Sequence, residues 1–141
     1  MPQHRRKAVV AGHVCLDLIP SFGGTAAPEA AGQEAGRWAD MLQPGRLVQV
    51  GPALFAAGGS VPNTGIALHK LGVPVSLVGK VGDDAFGRAV LRIVGAAGPR
   101  LAEAMVVAPG EHTSYTVILS PPGVDRILTG KGSACSKPPK T

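Results

Sequence analysis

Gly58-Gly59-Ser60-Val61-Pro62-Asn63-Thr64-Gly65-Ile66-Ala67-Leu68-His69-Lys70-Leu71-Gly72 is the stretch on which the reading of this chain turns. The two leading glycines permit backbone conformations and close approaches that a side chain forbids. Ser60 and Pro62 suit the cap and first turn of a helix, and Gly72 suits its end. Asn63 then points from the helix start into whatever space the glycines leave open.

Working outward, Ala53 to Ala57 before the glycine pair reads as a short strand, and Leu47 to Val50 as another, with Gly51-Pro52 between them. After Gly72, Val73 to Val81 is a β-rich run, and Gly82-Asp83-Asp84 leads into a second helix. Phe86, Ala89, Val90, Ile93, Val94 and Ala97 recur there at helical spacing, with Arg88 and Arg92 outward. Helix, strand, helix with short connections is a βαβ-type layered architecture.

The front of the chain fits that architecture. Lys7 to Gly12 is a short apolar run ending in glycine, as in a buried strand that opens an α/β unit. His13 to Pro20 alternates, with Val14, Leu16 and Leu18 on one side and Cys15, Asp17 and Ile19 on the other. Asp17, an acid between apolar neighbours, needs a partner. Ser21 to Gln33 reads as a loop or insertion. Towards the other end, Met105 to Ala108 and Thr113 to Leu119 read as strands, and Val124 to Leu128 pairs back across the Ser120-Pro121-Pro122-Gly123 turn. From Thr129 the pattern dissolves.

Taken in order, a strand followed by Gly12 and Asp17, then Gly58-Gly59 and Asn63, then Gly72, Gly82-Asp83-Asp84 and Gly87, then Thr113-Ser114 and Asp125-Arg126, resembles the N-terminal half of the PfkB, or ribokinase-like, carbohydrate kinases. The resemblance covers about residues 8 to 128. It implies an α/β fold: a mostly parallel sheet flanked by helices, with a small β lid built from about residues 13–20, 47–57 and 113–128. Residues 1–128 would then be the N-terminal part of the kinase domain, and 129–141 a disordered basic tail that is non-native if a frameshift, a premature stop or a misassembled gene produced it.

The same resemblance assigns substrate-binding roles. Asp17 matches the family acid that accepts hydrogen bonds from sugar hydroxyls, a role that suits an acceptor-only carboxylate. Gly58, Gly59 and Asn63 match the glycine pair and asparagine that line the sugar pocket. Lys80 and Arg126 are secondary substrate-binding candidates, each with a competing reading as a surface charge. Gly79, Gly82, Asp83, Asp84 and Gly87 read as turn and capping positions that shape the fold. Val61 and Gly65 depart from the family pattern, which implies a different pocket floor.

Family members are about twice as long, and their other half holds the Gly-Ala-Gly-Asp-type motif with the catalytic base and anion hole, together with the ATP site. No such motif occurs in these 141 residues, so no catalytic residue is assigned. The family uses ATP and Mg²⁺; neither is expected to bind tightly to this chain. The expected function is the sugar-binding half of an ATP-dependent sugar or nucleoside kinase that passes the γ-phosphoryl group to a sugar hydroxyl, inactive by itself. The alternative is a non-catalytic sugar-binding or dimerisation module, or the product of a decayed or frameshifted gene. A small-molecule sugar or nucleoside is the expected partner, with a homodimer through the lid strands consistent with the family.

Composition excludes other classes. The net charge of +5 sits at the ends: Arg5, Arg6, Lys7, Lys131, Lys137 and Lys140 leave eight basic against nine acidic residues in between. With only five aromatic residues to interleave, a nucleic-acid surface is not expected. Hydrophobic residues make up 45% of the chain, enough for a core, yet no run reaches the ~20 needed to span a bilayer. The basic start lacks a signal-type hydrophobic stretch, so a cytoplasmic protein is expected. Cys15 and Cys135 are isolated, and His4, His13, His69 and His112 are unclustered, so no metal site is expected.

Overall fold

The computed structural model describes residues 7–22, 44–45, 47–120 and 125–132. The apolar run after Lys7 forms β1 (Ala8–Ala11), and the alternating segment beyond it forms β2 (Cys15–Pro20). Next come β3 (Ala53–Gly58) and α1 (Ser60–Lys70), then β4 (Val75–Val78) and β5 (Lys80–Gly82). The chain continues through α2 (Ala85–Ala97), β6 (Val106–Ala108), β7 (Tyr115–Leu119) and β8 (Ile127–Lys131).

Two parallel pairs, β1 with β4 and β5 with β6, lie in line because only Gly79 separates β4 from β5. The Val106 amide donates to the Gly79 carbonyl at 2.8 Å, so β6 joins the sheet at the break itself. The crossover from β5 to β6 is α2, and the chain from β1 returns to β4 through β2, β3 and α1. The other four strands make the lid, in the order β3-β2-β7-β8. In its centre Leu16 pairs with Ala57 and Tyr115, Asp17 with Ala56 and Thr116, and Leu18 with Phe55 and Val117.

The core lies where lid, sheet and helices meet. Leu16, Val61, Leu77, Val90 and Val94 are fully buried, and Val14, Val81 and Leu101 nearly so. The apolar stripe of α2 turns inward as its spacing predicts, with Phe86, Ala89, Ile93 and Ala97 half-buried against the same cluster. Phe86 meets Tyr115 edge-on with ring centroids 5.3 Å apart, which ties α2 to the lid. Among the described residues, no helix is long and apolar enough to cross a membrane.

Several expectations change. Leu47 to Val50 forms no strand: Leu47 is 91% exposed, and no strand among the described residues pairs with the segment. The run from 73 to 81 is two strands broken at Gly79. The last strand does not stop at 128. Thr129, Gly130 and Lys131 pair with Val117, Thr116 and Tyr115, so long-range pairing orders residues that have no apolar pattern of their own. The loop expected from Ser21 to Gln33 and the tail beyond Gly132 lie outside the described residues, apart from Ser21 and Phe22. Val61 and Gly65 face the core, Gly65 so closely that a methyl there would strike the Leu77 side chain.

Candidate functional site

Two helices begin beside the lid, and they begin differently. α2 is capped by Asp84, whose Oδ1 accepts from the Gly87 amide at 2.8 Å. The same carboxylate accepts the Thr113 hydroxyl at 2.7 Å and the Thr113 amide at 2.9 Å, and that hydroxyl in turn accepts the Gly82 amide at 2.9 Å. Desolvation pushes the Asp84 carboxyl up. The Thr113 hydroxyl, the Gly87 and Thr113 amides and nearby His112 outweigh it and hold the group at about 2. Asp84 thus fastens the start of β7 to the start of α2, as the capping reading of this motif expected.

α1 has no such cap. Its N-cap position is Gly59 rather than the expected Ser60, at φ 92°, and no side chain accepts from the first turn. Only glycine takes that backbone angle without strain. A methyl on Gly59 would also meet the His13 carbonyl at 2.5 Å. Gly58, buried at the end of β3, lies under Asp17: a methyl there would coincide with the Asp17 carboxylate. Gly58 therefore leaves the room that the Asp17 carboxylate takes, one residue before the N-cap of α1, while Gly59 leaves room for His13. Asn63 sits one turn in, exposed, and its side chain makes no hydrogen bond with any described residue.

Beside Asp17, the Cys15 thiol donates to Oδ1 at 3.4 Å, so Oδ2 carries no protein hydrogen bond among the described residues. Burial, then the Asp17 charge and this bond, push the thiol to about 11 against a smaller opposing contribution from Thr116. Cys15 is a donor and a filler here, far from thiolate chemistry.

The corner brings Asp17, Gly58 and Gly59 together, and Asn63 follows along α1, its amide donating to the Gly59 carbonyl at 3.3 Å. The secondary candidates are engaged elsewhere. Lys80 pairs with Glu111 at 2.6 Å, both side chains about two-fifths exposed. Arg126 is exposed just before β8, its amide donating to Asp125 Oδ1 at 2.8 Å. Sequence reasoning passed over His13, whose Nε2 lies 3.3 Å from Ser114 Oγ at the same corner. Its place directly after the glycine that ends β1 was the available signal, since ligand-facing loops follow such strands.

Residues 17–136 match the family described as pfkB family carbohydrate kinase. The chain belongs to that family. Fructokinase-1 of Zea mays is 29% identical over 92% of this chain and 37% of its own length. The ribokinase of Cryptococcus neoformans var. grubii serotype A in complex with ADP superposes with a TM-score of 0.62 at 21% identity, covering 96% of this chain and 37% of that one. Arabidopsis thaliana ribokinase, complexed with ribose and ATP, superposes with a TM-score of 0.62 at 19% identity, over 88% of this chain and 35% of that one. The pfkB chain described here has the ribokinase-like fold and spans little more than a third of the length of these relatives. Among its described residues no three His, Cys, Asp or Glu side chains are grouped to hold a metal ion.

Proposed function

We propose that this chain is the sugar-contacting, lid-bearing portion of an ATP-dependent carbohydrate kinase. The observation that carries the reading is the Asp17 carboxylate lying against Gly58, next to the Gly59 N-cap of α1, which has no side-chain cap. Asp17 Oδ2 accepts from a sugar hydroxyl, and the Asn63 amide both donates and accepts one turn into the helix. Of the first-turn amides only that of Ser60 can supply a further donor, because the His13 carbonyl takes the Val61 amide and Pro62 has none. The lid strands β2 and β3 hold these groups, so the sugar is positioned before any phosphoryl group arrives. Positioning and charge stabilisation dominate phosphoryl transfer. These 141 residues provide the first of them and, without the Gly-Ala-Gly-Asp-type motif, do not catalyse alone.

The lid also has an open face. Leu54 and Leu128, on the side of the sheet that carries Asp17, are 62% and 57% exposed, which supports pairing of two lids in a homodimer. Light scattering on the purified chain reads the mass directly, and Leu54→Lys with Leu128→Lys is expected to leave a monomer.

Calorimetric titration with D-fructose, D-ribose and ATP tests the main reading. A sugar heat that Asp17→Asn weakens at least about tenfold, as expected for a lost hydrogen bond to a charged group, supports it. No heat with either sugar, or a heat indifferent to Asp17→Asn, overturns it.

A further inference from the structure

The glycine pair opens onto two acceptors. Gly58 leaves room for the Asp17 carboxylate, while a methyl on Gly59 would come within 3.1 Å of His13 Nδ1 as well as against the His13 carbonyl. His13 therefore presents Nδ1 to the opening at the start of α1. Its backbone is fixed there too, because the His13 carbonyl accepts the Val61 amide at 3.2 Å in the first turn of the helix.

The other ring nitrogen is engaged, and its partner decides where the ring proton lies. Nε2 is 3.3 Å from Ser114 Oγ. The Ser114 hydroxyl has one proton, and it goes to the Lys131 carbonyl at 2.8 Å, an atom that only accepts. Ser114 Oγ must then accept from His13, so Nε2 carries the hydrogen. In the neutral ring that leaves Nδ1 with its lone pair, on the side facing Gly59. The relay joins three segments, since Ser114 precedes β7 and Lys131 ends β8, the strand that orders residues with no pattern of their own.

We infer that His13 Nδ1 is a second substrate acceptor, taking a hydrogen bond from a sugar hydroxyl other than the one Asp17 takes, with its tautomer set by the Ser114 to Lys131 relay. The inference rests on the sugar-site reading of this corner and extends it. A polyol with two suitably spaced hydroxyls is bound through both acceptors; a deoxy analogue missing the second hydroxyl loses the His13 contribution.

Nitrogen-15 spectra of the full 141-residue chain, recorded above the ordinary imidazole titration range, read the tautomer before any ligand is added. Nε2 should show the protonated-type shift and Nδ1 the unprotonated-type shift, with Nδ1 moving when D-fructose or D-ribose is titrated in. A protonated Nδ1 in the free chain overturns the assignment. Two variants separate the nitrogens. His13→Gln places an amide donor near the Nε2 position and keeps the Ser114 bond, but offers no acceptor near Gly59; it should bind the sugar about fivefold more weakly, the cost of one neutral hydrogen bond. His13→Asn places an oxygen near the Nδ1 position and should bind more tightly than His13→Gln. If Asp17→Asn loses the sugar while His13→Gln binds like the parent chain, the sugar-site reading stands and the His13 assignment falls. If the parent chain binds neither sugar, both fall.

Discussion

α1 and α2 both start beside the lid, yet α2 fastens its N-terminus with a side-chain cap, whereas α1 has no such cap and its Val61 amide is taken only by the His13 carbonyl. At α2, one carboxylate takes three donors from two segments, and every bond is short. At α1 the capping position is a glycine, and the Asp17 carboxylate, from another strand, lies against Gly58 without capping the helix. A saturated N-terminus is an anchor. One without a side-chain cap, beside an acceptor, is where we propose that the sugar brings its own donors and acceptors. The difference separates what holds the lid on from what the lid covers.

Breaking the anchor should have the largest effect. Asp84→Ala strands the Gly87 amide and both Thr113 donors, and should cost about 3 kcal/mol of stability, read by denaturant unfolding. Amide exchange should quicken first at Thr113 and Gly87; a loss below about 1 kcal/mol would show that the anchor is not what holds β7. Filling the open end comes next. Gly58→Val displaces the Asp17 carboxylate and should weaken sugar binding by about two orders of magnitude, equivalent to losing more than one charged hydrogen bond.

Titrating the anchor is gentler. The Asp84 carboxyl is held at about 2 against 3.8 for the free side chain, so the folded state prefers it ionised. That preference contributes about 2 kcal/mol above pH ~4 and is lost as pH falls from about 4 through 2. Acid unfolding curves should show this slope in the parent chain and lack it in Asp84→Asn. The smallest effect belongs to the exposed Lys80–Glu111 pair: Lys80→Ala should shift stability by under about 0.5 kcal/mol and leave sugar affinity unchanged. A clear loss of sugar affinity would instead make Lys80 a ligand-binding group.

The contrast also explains what was legible in the sequence. Both helices, the Asp84 cap and the α2 stripe follow from local spacing, because capping and amphipathic periodicity are short-range signals. Asp17, Gly58, Gly59 and Asn63 were legible as an ordered set, and the Asp17 carboxylate lies against Gly58. His13 was not, because its side-chain partner Ser114 is 101 residues away. The end of β8 was not, because Gly130 pairs as a strand only where it runs against the Tyr115–Thr116 backbone. Leu47 to Val50 shows the converse error: a β-favouring run with no neighbouring strand to complete it.

Amide chemical-shift mapping of the isotope-labelled chain during titration with D-fructose and D-ribose tests the central claim most directly. The account predicts that the shifts gather at Asp17, Gly58, Gly59 and Asn63 and leave the Asp84–Thr113 anchor unmoved. Shifts absent from that corner, or centred on the anchor, would contradict it.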